Sequence, residues 1–256
     1  MNSNQDAKNW LYISLSIVVV IAVLAYQTVF VIVPYVSTEL AKKVPPSIVE
    51  FLDEMTLESL DEEGFSPSDI PKETQDRLRH LFSSLVAENA QSGRAYQLVF
   101  RAWDGIANAM ALPNGTIVLT DRLIELAAND EQIAAVLLHE IAHVEENHGL
   151  EGLIKSSLLG VSLSVLFGDV GAMGEILVQG AVFGTDLKYS RDAELEADAF
   201  AVNALLQGAK DPMSLEEILS SISGDADNDQ MSITWLSSHP DLPQRIEQIR
   251  QIKLAM

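Results

Sequence analysis

The sequence predicts a mainly α chain with a small β-sheet, an α+β domain preceded by one transmembrane helix. A charge-free apolar run fills positions 10–36, helical apolar spacing recurs in several later stretches, and strand-like alternation is confined to 94–120. The chain divides accordingly into a short tail (1–9), an anchor (10–36), a helical prefix or spacer (37–93) and a C-terminal domain (94–256). Its 256 residues suffice for one packed domain beside those appendages. A formal net charge of −21 argues against nucleic acid, whose phosphates it would repel. With no cysteine, disulfides and thiolate metal ligands are excluded.

The anchor has no charged residue between Lys8 and Glu39, and its span is long enough for the ~30 Å bilayer interior. Trp10, Tyr12 and Tyr35 lie near its ends, where amphipathic rings favour the interface. A cleaved signal peptide fits less well, because the run is too long and no small-residue cleavage pattern follows it. Lys8 on one side and Lys42 and Lys43 on the other leave the positive-inside balance close to even.

Pro45 to Ser92 reads as a polar, mostly helical prefix. Ser47–Leu60 and Lys72–Asn89 have helical spacing, and the turn-forming Gly64–Ser68 separates them. The acidic run Glu58–Glu63 is expected on a solvated face. Tyr96–Arg101 alternates like a strand, and Asn108–Thr120 holds a Pro113-Asn114-Gly115 turn between apolar flanks.

The stretch around which the chain is organised is Asn129–Gly149, expected as one helix. Asn129 or Asp130 caps its start and Gly149 supplies a left-handed stop. Within it lies His139-Glu140-Ile141-Ala142-His143. Residues four apart share a helix face, so both imidazoles can reach one Zn²⁺, while Glu140, rotated off that line, can address a water beside it. His148 is expected to be a solvated residue of the last turn, since a third ligand at the spacing metzincins use would fall at Gly149. A better third ligand lies in Tyr189–Asp198. Ser190 is a plausible cap, and Glu194 and Asp198 fall four apart on one face. Glu194 would complete a His₂Glu site, and Asp198 would accept a hydrogen bond from a ligating imidazole. Glu196 is expected to face solvent. An acidic surface helix is the plain alternative, but Ala193, Leu195, Ala197, Ala199 and Phe200 leave it little room.

Leu150–Thr185 is apolar but interrupted by Lys155, Asp169 and Glu175, so it is expected as a helical hairpin, buried against the zinc helix or close to the membrane. Asp211-Pro212 and the acidic Gly224–Asp229 should break the following chain into short helices. The acidic loop lacks the central Gly and closing Glu of a calcium loop and is read as solvated. Pro240 and Pro243 stiffen a turn before a final helix, Gln244–Leu254.

His139–His143, then Glu194–Asp198, then Ser238-His239-Pro240 with Arg245, together with the strand-like Ala111–Thr120, resemble the HtpX-like zinc metallopeptidases, a gluzincin family. The resemblance covers roughly 94–256 and implies a zincin-like metalloprotease domain holding one Zn²⁺ per chain through His139, His143 and Glu194. It implies Glu140 as general base, with His239 and Arg245 near the cleft where either could stabilise an oxyanion. It makes Asn108, Ala109, Met110, Ala111 and Leu112 the edge strand that would pair with an extended polypeptide substrate. It further implies a single-pass enzyme of the bacterial inner membrane with its domain in the periplasm, acting on unfolded or misassembled envelope proteins. The near-even lysine balance leaves a cytoplasm-facing domain as the alternative. A metal-stabilised binder of unfolded chains would use the same cleft, but would have no need of Glu140. Processing of prenylated peptides is disfavoured by the single clear membrane segment.

Overall fold

The computed structural model describes residues 3–167, 189–228 and 235–254. The chain is mostly helical, with one four-stranded sheet, as its patterning predicts. Helix α1 (Ser3–Gln27) runs through a π-helical turn, Thr28–Ile32, into α2 (Val33–Ala41). The irregularity has a local cause. Pro34 has no N–H to donate and its ring would crowd the carbonyl four residues back, so the helix widens by one residue there. Val33 N–H accordingly reaches back to Thr28 O. Lys8–Ala41 forms 34 residues of continuous helix, within which an 18-residue window reaches mean hydropathy 2.6, long and apolar enough to cross a membrane.

This long helix does not end as a free tether. Val33, Ser37 and Ala41 recur every four residues along α2, and all three are buried. They face α7 (His148–Phe167), and Ala41 joins Val49 and Leu150 in a small apolar cluster. The two expected prefix helices are present as α3 (Pro46–Glu63) and α4 (Lys72–Asn89). Between them Ser66–Pro67 forms β1, which pairs antiparallel with the end of β2 (Gln97–Ala102), so the prefix contributes an edge strand to the sheet.

The sheet order is β1-β2-β4-β3. Strands β3 (Ala109–Ala111) and β4 (Thr116–Thr120) form the expected hairpin, in which Gly115 takes φ +106°, a conformation open to glycine alone at little cost. β4 lies parallel to β2 and is buried over its whole length. Asp53 of α3 clamps the hairpin: its carboxylate accepts the Asn114 N–H at 2.7 Å and the Thr116 N–H at 3.3 Å. Leu60 and Phe65 pack on Val118 from the same side. The prefix is thus built into the sheet, and of the acidic run Leu60 is core while Asp61 pairs with Arg101.

After the short α5 (Asp121–Leu126), helix α6 (Asp130–Glu145) passes through the centre of the molecule, every residue from Gln132 to Val144 buried. A helix apolar nearly all round must be enclosed, and α6 is enclosed by α4, the sheet, α8 (Arg191–Gln207) and α9 (Met213–Asn228). Two expectations fail here. α6 stops at Glu145 rather than at Gly149; Asn147 takes φ +62°, and the chain re-enters a helix at His148 with Gly149 inside it. Asn tolerates this left-handed geometry, so it ended the helix two residues early. The acidic 224–228 stretch is also no break: α9 runs through it, with Asp225 paired to Arg122 and Leu219 and Ile222 on the core face. The apolar hairpin expected over 150–185 begins as α7; its remainder lies outside the described residues. Helices α10 (Trp235–Ser238) and α11 (Leu242–Leu254) complete the chain.

Replacing Asp53 with alanine strands two backbone donors under the hairpin, at a cost of about 1–3 kcal/mol. The expected result is a lower urea midpoint with proteolysis concentrated at 112–116; an unchanged midpoint would show that the clamp is idle.

Candidate metal centre

Two helix starts set the position of the centre. The Asn129 side chain caps α6 by accepting the Gln132 N–H at 3.0 Å, and Ser190 caps α8 by accepting the Ala193 N–H at 3.2 Å. On α8 the buried Ala193, Ala197 and Ala201 form a stripe of small side chains, and α6 offers Ala134, Ala135 and Ala142. Small residues let two helices approach closely. The closeness carries Glu194 and Asp198, each one residue beyond an alanine of that stripe, to His139 and His143.

The donor atoms of His139, His143, Glu194 and His239 all lie within 4.8 Å of one another, and all four residues are buried. His139 Nε2 stands 3.0 Å from His143 Nε2 and 3.3 Å from His239 Nδ1. Glu194 Oε1 is 2.9 Å from His239 Nδ1 and 3.5 Å from His143 Nε2. Ligands about 2.0–2.1 Å from a tetrahedral ion sit roughly 3.3 Å apart, so these spacings fit a metal such as Zn²⁺. Imidazole nitrogens facing each other at this range need a shared cation or a proton between them.

Neighbouring groups aim the ring nitrogens inward. His139 Nδ1 lies 2.9 Å from Asp198 Oδ1, the partner expected of Asp198, which leaves Nε2 free for a ligand. His143 has an equivalent that the sequence did not disclose. Its Nδ1 lies 3.0 Å from His148 Nδ1, and His148 Nε2 lies 3.4 Å from Glu196 Oε2. A proton on His148 Nε2 lets His148 Nδ1 accept from His143, so that His143 Nε2 also faces the centre. The expectation of a solvated His148 is therefore corrected: its side chain is 8% exposed, because the chain turns at Asn147 and carries it back over His143. Burial holds the His148 imidazole below its usual range despite Glu196, and burial lowers His143 further, so both favour the neutral form. Glu196 is exposed, as expected.

Arg245 is fully buried. Its Nε and Nη2 each donate to Asp198 at 2.7 Å, and its Nη1 lies 2.7 Å from Glu194 Oε2. Burial alone would raise the Asp198 and Glu194 carboxyls, but Arg245 and His139 beside Asp198, and the three histidines around Glu194, hold both below the usual carboxylate range. The guanidinium fork, one of the two groups expected near an oxyanion, directs its donors at these two carboxylates.

Glu140 is buried on the same helix. Its Oε1 accepts the indole N–H of Trp235 at 3.1 Å, while Oε2 has no protein partner among the described residues. Trp235, which the sequence did not single out, stacks on His239 with ring centroids 4.3 Å apart. Tyr189 lies flat on His143 at 3.7 Å and donates its backbone N–H to Ser238 O.

Among the described residues no strand pairs with the outer edge of β3, and Ala111 of that strand lines a small pocket with His143. Asn108 O accepts Thr120 N–H and Leu112 N–H donates to Thr116 O, so by antiparallel alternation Met110 also faces β4. The outward-facing N–H and C=O groups are those of Ala109 and Ala111. Of the five expected edge residues, two therefore offer backbone to a partner strand. Ala107, in the same outward register, already accepts the Trp235 N–H.

Asp198→Asn and His148→Ala should each weaken metal binding by about 10–100-fold, as expected of groups that orient a ligand. Competition with a chelator measures this; a folded His148→Ala protein with parental metal affinity would remove His148 from that role.

Comparison with known proteins agrees with the geometry. The chain is 30% identical over 149 residues to mitochondrial metalloendopeptidase OMA1 of Arabidopsis thaliana, covering 57% of this chain and 29% of that protein. It is 28% identical over 153 residues to metalloprotease YcaL of Escherichia coli (strain K12), covering 56% and 57% respectively. To the beta-barrel assembly-enhancing protease of the same organism it is 26% identical over 148 residues, covering 52% and 29%. The chain thus spans less than two thirds of each of these relatives. Residues 72–253 match peptidase family M48, so the chain belongs to that family of metallopeptidases.

Proposed function

We propose that the protein is a membrane-anchored, zinc-dependent endopeptidase with His139, His143 and Glu194 as metal ligands and Glu140 as general base. The observation that carries the reading is the four-donor cluster with the unpartnered Oε2 of Glu140 on the same helix. A bound Zn²⁺ supplies Lewis-acid chemistry, lowering the pKa of a coordinated water to roughly 7 and polarising a carbonyl.

The chain's own residues do the rest. Glu140 Oε2 takes a proton from the attacking water and delivers it to the leaving nitrogen. Trp235 fixes the carboxylate by holding Oε1, so that Oε2 is the oxygen that works. Ala109 and Ala111 align an extended substrate through main-chain hydrogen bonds, which gives affinity with little demand on sequence. His239 is assigned to the oxyanion, and it must yield its present place among the metal donors as substrate enters. Arg245 is assigned to holding Glu194 and Asp198 rather than to the oxyanion.

Unfolded or misassembled envelope proteins suit a cleft that reads backbone. A relative named for enhancing β-barrel assembly supports that substrate class. A bacterial inner membrane with the domain in the periplasm is the proposed setting, although other relatives are mitochondrial. A reporter fused after Met256 tests the orientation; activity only of a cytoplasm-specific reporter would overturn it.

Glu140→Gln should keep its metal while casein cleavage falls by roughly 10²–10⁴-fold, the usual contribution of a positioned base. Glu194→Gln should lose metal and activity together. Metal analysis beside the cleavage assay, with and without chelator, decides: if Glu140→Gln sheds metal and Glu194→Gln keeps it, the roles are wrongly assigned.

A further inference from the structure

The helix that carries the anchor also walls the cleft. From Lys8 to Ile32 every residue but Thr28 is exposed, and burial begins at Val33. The exposed apolar run Trp10–Ile32 is about 35 Å long at ~1.5 Å per residue, which fits a hydrocarbon interior of ~30 Å. The bilayer boundary therefore falls close to Ile32, and the exposed Tyr35 lies where a ring suits the interface. Pro34 is two residues beyond Ile32.

Pro34 lines a cavity of about 490 Å³ that also touches Leu52 of α3, Leu112 at the end of β3, Leu153 of α7, and both His148 and Tyr189. His148 and Tyr189 both lie in direct contact with His143. The same cavity is thus lined both by neighbours of a metal donor and by a residue two positions beyond the inferred membrane boundary. Because Val33, Ser37 and Ala41 are packed into the domain, the helix cannot swing the cleft away from the surface.

We propose that the cleft acts on polypeptide where it leaves the bilayer, so that its substrates are membrane-anchored chains with an extended segment next to their own anchor. The proposal rests on the protease reading above and adds where the cut falls. An extended chain covers about 3.3 Å per residue, so a cut within about ten residues of the bilayer lies no more than ~33 Å from it. A segment of this kind can enter the cavity from the Pro34 side and run along the Ala109–Ala111 edge past the donor cluster.

The test uses the full chain in phosphatidylcholine vesicles. It is given a single-pass substrate whose long linker repeats one cleavable casein segment, and soluble casein in parallel. Cut sites are mapped by mass spectrometry. The expected result is cuts clustered within about ten residues of the bilayer. A polar helical insertion between Ile32 and Val33 of about 18 residues, five turns or ~27 Å, should move the cluster outward by about eight residues. Soluble casein should still be cut by that variant, which shows it is folded and active. Cuts spread evenly along the linker, or an unshifted cluster in the active insertion variant, would overturn the proposal. So would a tethered substrate left intact while soluble casein is cleaved. Failure to cut either substrate would overturn the protease reading itself, and this proposal with it.

Discussion

The buried charge around Arg245 is the constraint on which the rest of the structure depends. Glu140, Glu194 and Asp198 are fully buried, and the guanidinium of Arg245 lies among them. Uncompensated charge in an interior costs several kcal/mol per ion. Three carboxyl groups share one guanidinium there, an acidic excess that a bound cation would offset. Arg245 comes from α11, Asp198 and Glu194 from α8, and Glu140 from α6. Placing the last helix and assembling the metal centre are therefore a single folding problem. Trp235 takes part in both, donating to Glu140 while the guanidinium lies 4.8 Å over its ring.

Much of this was legible because it is written in short-range chemistry. The Asn129 and Ser190 caps, the hairpin at Pro113–Gly115 and the His139–His143 spacing each depend on residues within four positions of one another. What escaped was set by contacts far apart in the chain. His148 looked like the solvated end of a helix because Gly149 is a stronger stop signal than Asn147. Its burial is decided by Tyr189 and Glu196, more than forty residues away. Asp53 reads as an ordinary acidic helix residue until the hairpin 61 residues on presents its N–H groups. Trp235 and Arg245 acquire meaning only through partners 95 and 47 residues distant. Periodicity reports the face of an element and not what lies opposite it.

The prefix shows the same limit at larger scale. Its helices were readable, but a two-residue strand such as Ser66–Pro67 has no periodic signature, and it exists because β2 offers an edge. Through β1, Asp53, Leu60 and Phe65 the prefix braces the hairpin whose far strand forms the free edge beside the metal donors. A change in the prefix can thus reach the outer edge of β3 without touching the donor cluster.

The four-residue recurrence of Val33, Ser37 and Ala41 fixes more than the height of the domain. It fixes rotational phase: one side of α2 is committed to α7, so the exposed apolar run that precedes it keeps a set azimuth relative to the donor cluster. Each residue added to or removed from the helix turns one against the other by about 100°. The helix therefore behaves as a keyed shaft, and the bearing of its exposed apolar run relative to the donor cluster is encoded in its residue count.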